Sequence, residues 1–123
     1  MTPPRRNWSQ KFRDAFRGVW LGIRGQSSFV VHFVMAFLVL VVATLLQVDL
    51  YESCLLVLCV AMVLAAELFN SAVESLAKAI DAEHNEHLGK ALDIASGAVL
   101  LCAVGAATVG ATIFVHRLSI FLR

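Results

Sequence analysis

Charge is scarce in this chain. Its 123 residues hold ten Lys and Arg and nine Asp and Glu, and the net charge of +1 leaves out the basic face with which nucleic-acid binders hold phosphate. No nucleic-acid partner is expected. Proline is rarer still: Pro3 and Pro4 both fall in the N-terminal lead-in. The three cysteines, Cys54, Cys59 and Cys102, lack the paired spacing of a zinc site or a CxxC redox motif. Lying inside apolar runs, they read as small buried hydrophobes. Internal repeats and low-complexity tracts are absent. What fills the chain is apolar, with 59% hydrophobic residues and a mean hydropathy of +0.79, far from the balance of a soluble domain. Lipid is the expected solvent. A chain of this length has room for one domain, spanning 1–123, of three membrane-crossing helices and short connections.

The first long apolar run, FVVHFVMAFLVLVVATLLQ, covers 29–47 and has roughly the length a helix needs to cross the hydrocarbon core. Its one ionisable residue is His32. A second span is expected over 54–77, where LLVLCVAMVLAA runs into Glu67, Asn70 and Glu74 before the apolar pattern fades at Lys78. The third, over 92–115, is rich in Gly, Ala, Ser and Thr, which suit close helix packing in a membrane. Ahead of them, 9–24 reads as an amphipathic helix. Phe12, Phe16, Val19, Trp20 and Ile23 recur at helical spacing, while Lys11, Arg13, Asp14, Arg17 and Arg24 take other positions. Such a helix lies in the interface, its rings sunk and its cations facing anionic headgroups. It serves as an anchor and topology signal, or it also shelters a site at the cytoplasmic interface. The segment alone leaves both open.

Six of the ten Lys and Arg residues precede the first span, two lie in 78–90 and none in 47–52. An excess of basic residues marks the cytoplasmic side, so the N-terminus and the second loop are expected there, with Arg117 and Arg123 a minority outside. The long basic lead and the missing small-residue cleavage site argue that the first span stays as an anchor.

Glu67 to Asn70 is an i,i+3 step and Asn70 to Glu74 an i,i+4 step, so all three project from one helix face. A carboxylate near hydrocarbon needs a partner, water or a metal. The alternative is that the helix has already left the membrane and both carboxylates are solvated. The loop DAEHNEHLGK follows, with Asp81, Glu83, His84, Asn85, Glu86 and His87; without Cys partners its histidines read as part of a solvated turn. The third span then opens with Asp93, Ser96 and Gly97. Acidic groups from two helix ends would surround one cytoplasmic mouth, within reach of an ATP-bound divalent cation.

E-L-F-N-S-A-V-E at Glu67 to Glu74, a short loop containing Glu83, and D-I-A-S-G-A-V at Asp93 to Val99 resemble the small prokaryotic integral-membrane diacylglycerol kinases, which include undecaprenol kinases. The resemblance covers about residues 10–115, with the surface helix and the three-span layout. It implies an all-α homotrimer in the bacterial cytoplasmic (inner) membrane, with sites between neighbouring subunits. There, magnesium-assisted transfer carries the γ-phosphate of ATP to a lipid hydroxyl.

Carried over position by position, the resemblance implies Glu67 as general base and Glu74 as a magnesium ligand. Asn70 and Ser96 would orient substrate, and Glu83 and Asp93 would lie near the nucleotide. The family's pattern is broken at three positions. Gln26 stands where a second metal-binding Glu is usual, offering an amide oxygen instead; Leu92 stands where a Lys contacts phosphate, and Lys78 where an Asp is common. Lys90 or Lys78 would supply the missing cation, neither at the matching position, and Lys90 is the one assigned to the nucleotide. Diacylglycerol is the expected acceptor. Undecaprenol is the alternative, favoured by the likeness of His32 and Gly97 to that branch. A catalytically degenerate structural or lipid-binding trimer is the reading from another class.

Overall fold

In hydrocarbon each backbone N–H and C=O must be paired within the chain, so long apolar runs become helices. The computed structural model describes residues 5–24, 27–80 and 85–123. These form four helices: α1 Trp8–Ile23, α2 Ser27–Leu45, α3 Leu50–Ile80 and α4 Glu86–Phe121, with no strand among the described residues. Two of them, α3 and α4, are long and apolar enough to cross a membrane. At ~1.5 Å per residue they reach about 46 and 54 Å, so their ends project beyond a hydrocarbon core of about 30 Å. The shorter apolar stretch of α2, Phe29–Leu45, reaches roughly 26 Å by the same rise.

The helix limits differ from those read off hydropathy: α3 runs past 77 to Ile80 and α4 past 115 to Phe121, and local hydrogen bonds explain three other differences. α2 stops at Leu45 rather than running to Gln47, because Gln47 N–H donates to the Thr44 carbonyl and Val48 N–H to the Ala43 carbonyl, both at 3.2 Å. With Gln47 at φ 52°, this is a Schellman cap built on a residue in the left-handed region. α3 starts four residues before Cys54 because Asp49 caps it. Glu52 N–H donates to Asp49 Oδ1 at 2.8 Å while Asp49 N–H donates to Glu52 Oε1 at 3.0 Å, a capping box. Glu86 and His87, expected in a polar turn, instead form the first turn of α4, since Asn85 Oδ1 accepts from the N–H groups of His87 and Leu88 at 2.9 and 3.3 Å. The reciprocal Asn7 and Gln10 bonds start α1 in the same way.

α3 and α4 make the most extensive helix pairing. At one end Arg117 of α4 donates from Nε to Glu52 Oε1 at 2.6 Å and from Nη2 to Asp49 Oδ2 at 3.0 Å, clasping the start of α3. Near the other end α1 approaches α3 at Gly22, where an added Cβ would overlap the Leu68 side chain. A glycine there permits the approach. Trp8, Phe12, Phe16 and Trp20 of α1 stay exposed along one stripe. Among the described residues the buried hydrophobic ones are few: Phe29, Leu56, Ala66 and Ile113. Cys54 is exposed and Cys59 and Cys102 are half-buried, against the expectation of buried cysteines. Lipid tails are as apolar as a neighbouring helix, so side chains gain nothing by facing inward in a membrane.

The left-handed Gln47 is the clearest local strain. Gln47→Gly removes a Cβ that costs about 1 to 2 kcal/mol in that region, so the variant should unfold at higher temperature in detergent micelles. An unchanged thermal midpoint would show that the cap carries no such cost.

Candidate functional site

The clasp of Asp49, Glu52 and Arg117 marks one membrane surface, because charged groups of this kind seek the interface. α3 then serves as a depth gauge. Glu67 lies fifteen residues beyond Glu52, roughly 22 Å along the helix and still within a hydrocarbon core of about 30 Å. Glu74 lies twenty-two residues beyond it, roughly 33 Å and at the opposite surface. Burial agrees with depth: Glu67 is only 7% exposed, whereas Glu74 is half-buried. The chain itself shields Glu67 from solvent more than Glu74, so the alternative in which both carboxylates are solvated does not describe Glu67.

The polar face of α3 resolves into two pairs. Glu67 Oε1 accepts a hydrogen bond from Nε2–H of His32 on α2 at 2.7 Å, with the two side chains 9% and 21% exposed. One turn on, Asn70 Nδ2 donates to Glu74 Oε1 at 3.1 Å. Asn70 Oδ1 and Ser71 Oγ are buried without a hydrogen-bond partner among the described residues. The His32 contact was missed by sequence reasoning, although a single ionisable residue near the start of one span and a carboxylate near the end of the next was the available signal. Ser71 follows Glu67 at i,i+4 and shares its face, a signal carried by the same spacing.

The other expected site residues stand apart. Asp93 and Ser96 are exposed on α4, with no hydrogen bond to α3 among the described residues. Lys90 is exposed and pairs with Glu86 at 3.5 Å on its own helix. Gln26 and Glu83 lie outside the described residues. Among the described residues no three His, Cys, Asp or Glu side chains form a metal cluster. Magnesium does not require one, since one or two carboxylates with phosphate oxygens and water suffice. Glu74 and the unpartnered Oδ1 of Asn70 are hard oxygen donors on one face and fit such an ion. An apolar cavity of about 370 Å³ opens between α2, α3 and α4, with His32 on its wall beside Val31, Met35, Leu64 and Ala103.

Residues 13–114 match the family described as prokaryotic diacylglycerol kinase. The chain belongs to that family. The diacylglycerol kinases of Escherichia coli K12 and Shigella flexneri are each 34% identical to it over 89 residues, covering 69% of this chain and 73% of theirs. As a prokaryotic diacylglycerol kinase family member with two long apolar helices, it is a membrane protein of a kinase family. The matched stretch runs from within α1 to within α4 and takes in His32, Glu67, Asn70 and Glu74.

Ser71 separates packing from chemistry in this family member. Ser71→Ala removes a buried hydroxyl that forms no bond among the described residues, so stability should stay level or rise by up to about 1 kcal/mol. Thermal unfolding together with a phosphoryl-transfer assay checks it. A loss of activity with unchanged stability would place the hydroxyl against a ligand.

Proposed function

We propose that this chain is a lipid kinase that transfers the γ-phosphate of ATP to the hydroxyl of diacylglycerol, giving phosphatidic acid. The observation that carries this reading is the division of labour along α3. Glu67 sits at lipid depth and Glu74 sits about 10 Å further on, at the aqueous surface. A lipid hydroxyl arrives from one medium and ATP from the other, and only a helix crossing their boundary meets both.

Glu67 accepts the proton of the lipid hydroxyl as its oxygen attacks the γ-phosphorus and ADP departs. Glu74 and Asn70 would hold magnesium, which supplies positive charge against the phosphate oxygens when bound. Asp93, Ser96 and Lys90 are exposed on α4, and their lack of any hydrogen bond to α3 among the described residues fits a site completed by a neighbouring subunit. Glu83 and Gln26 extend the nucleotide and metal ends of this reading. A homotrimer is the arrangement we infer, on the resemblance to the family and on these exposed site residues of α4. α2 makes the third crossing, tilted little because its apolar stretch barely matches the hydrocarbon. The basic lead and the exposed aromatic stripe of α1 favour a cytoplasmic N-terminus lying on the inner membrane of a bacterium.

Purified protein assayed in mixed micelles with ATP and magnesium, against diacylglycerol and undecaprenol in parallel, tests the acceptor. Undecaprenol is included because His32 resembles that branch of the family. Transfer to neither lipid would support the structural or lipid-binding trimer instead. Glu67→Gln keeps the size of the side chain but removes the base, so turnover should fall by about 10² to 10⁴, with ATP affinity and oligomer size retained. Near wild-type turnover would remove Glu67 from the chemistry. Glu74→Gln should raise the magnesium concentration needed for half-maximal activity, and an unchanged titration would exclude Glu74 as a ligand.

A further inference from the structure

We propose that His32 is a positioning residue for phosphoryl transfer, holding the Glu67 carboxylate from the neighbouring helix; this rests on Glu67 acting as the base. A carboxylate this deep in apolar surroundings is expensive unless it is hydrogen-bonded. Among the described residues His32 alone supplies that bond, at 2.7 Å and across 35 positions of sequence. The bond engages Oε1, and Oε2 accepts no hydrogen bond among the described residues, which leaves it as the oxygen that takes the hydroxyl proton.

The same contact fixes the partner helix. It is the only hydrogen bond from α2 to another helix among the described residues, so the rotation of α2 and the direction of the carboxylate are tied together. His32 has little else to bond. Its ring borders the apolar cavity of about 370 Å³, where Val31, Met35 and Ala36 are its neighbours on the wall. An imidazole there offers one directed N–H to the carboxylate, and it reaches the reaction only through Glu67. An error of about 1 Å in placing a catalytic group costs on the order of 10²-fold in rate.

The test uses the full chain in mixed micelles with ATP, magnesium and the lipid it phosphorylates. His32→Leu should lower kcat by about 10- to 10²-fold with the KM for ATP unchanged, and His32→Gln, which keeps a side-chain N–H donor, should recover part of the loss. Adding His32→Leu to Glu67→Gln should cost nothing further, because a residue acting only through Glu67 has nothing left to position. Nuclear magnetic resonance of ¹⁵N-histidine protein gives a readout apart from activity: the Nε2 resonance that disappears in His32→Gln should shift in Glu67→Gln.

Full turnover in His32→Leu, a further loss in the double variant, or an Nε2 resonance indifferent to Glu67→Gln each overturns the proposal. Should His32→Leu fail to fold, the His32→Gln turnover and the resonance shift decide alone. The base reading fails separately: Glu67→Gln would then be active. An inactive Glu67→Gln beside a fully active His32→Leu would sink only the role of His32.

Discussion

A buried carboxylate bonded across two helices is the constraint on which the rest of this structure depends. Leaving Glu67 unpartnered at 7% exposure would cost on the order of several kcal/mol. Its partner comes from α2, so burial of one side chain determines where a second helix must stand. The approach of α1 follows at the adjacent residue, since Gly22 meets Leu68 one position beyond Glu67. Two helices, α1 and α2, thus converge on a single turn of α3.

The opposite end of the molecule is secured by a different device. Arg117 bridges Asp49 and Glu52 there, pairing two half-buried charges with the exposed Asp49, whose N-terminal cap would serve α3 in any case. Between these two polar ends the helices are apolar, and most of their large side chains face outward. Dispersion and small-residue packing act there without a hydrophobic drive, because lipid competes on equal terms. Polar contacts at each end therefore set the register of α3 against its neighbours, and the middle adapts.

This arrangement gives α3 two chemical environments separated by about two helical turns. Glu67 and His32 lie in the low-dielectric part, where a hydrogen bond to a carboxylate is strong and directional. Asn70 and Glu74 lie about one to two turns further on, paired with each other and half-buried. In this prokaryotic diacylglycerol kinase family member, a single uninterrupted helix of 31 residues spans both.

Much of this was determined by the sequence itself. Helical class, membrane solvent, the amphipathic α1 and the shared face of Glu67, Asn70 and Glu74 follow from periodicity and apolar length, which are local properties that hydrocarbon enforces. The Asp49 and Glu52 capping box was written there too, but hydropathy obscured it because polar cap residues look like loop. Only the tertiary structure decided which of the polar residues meet. His32 with Glu67, and Arg117 with Asp49 and Glu52, depend on the depth and rotation of separate helices. The spacing within one helix fixes its own face and says nothing about which face of another helix turns toward it.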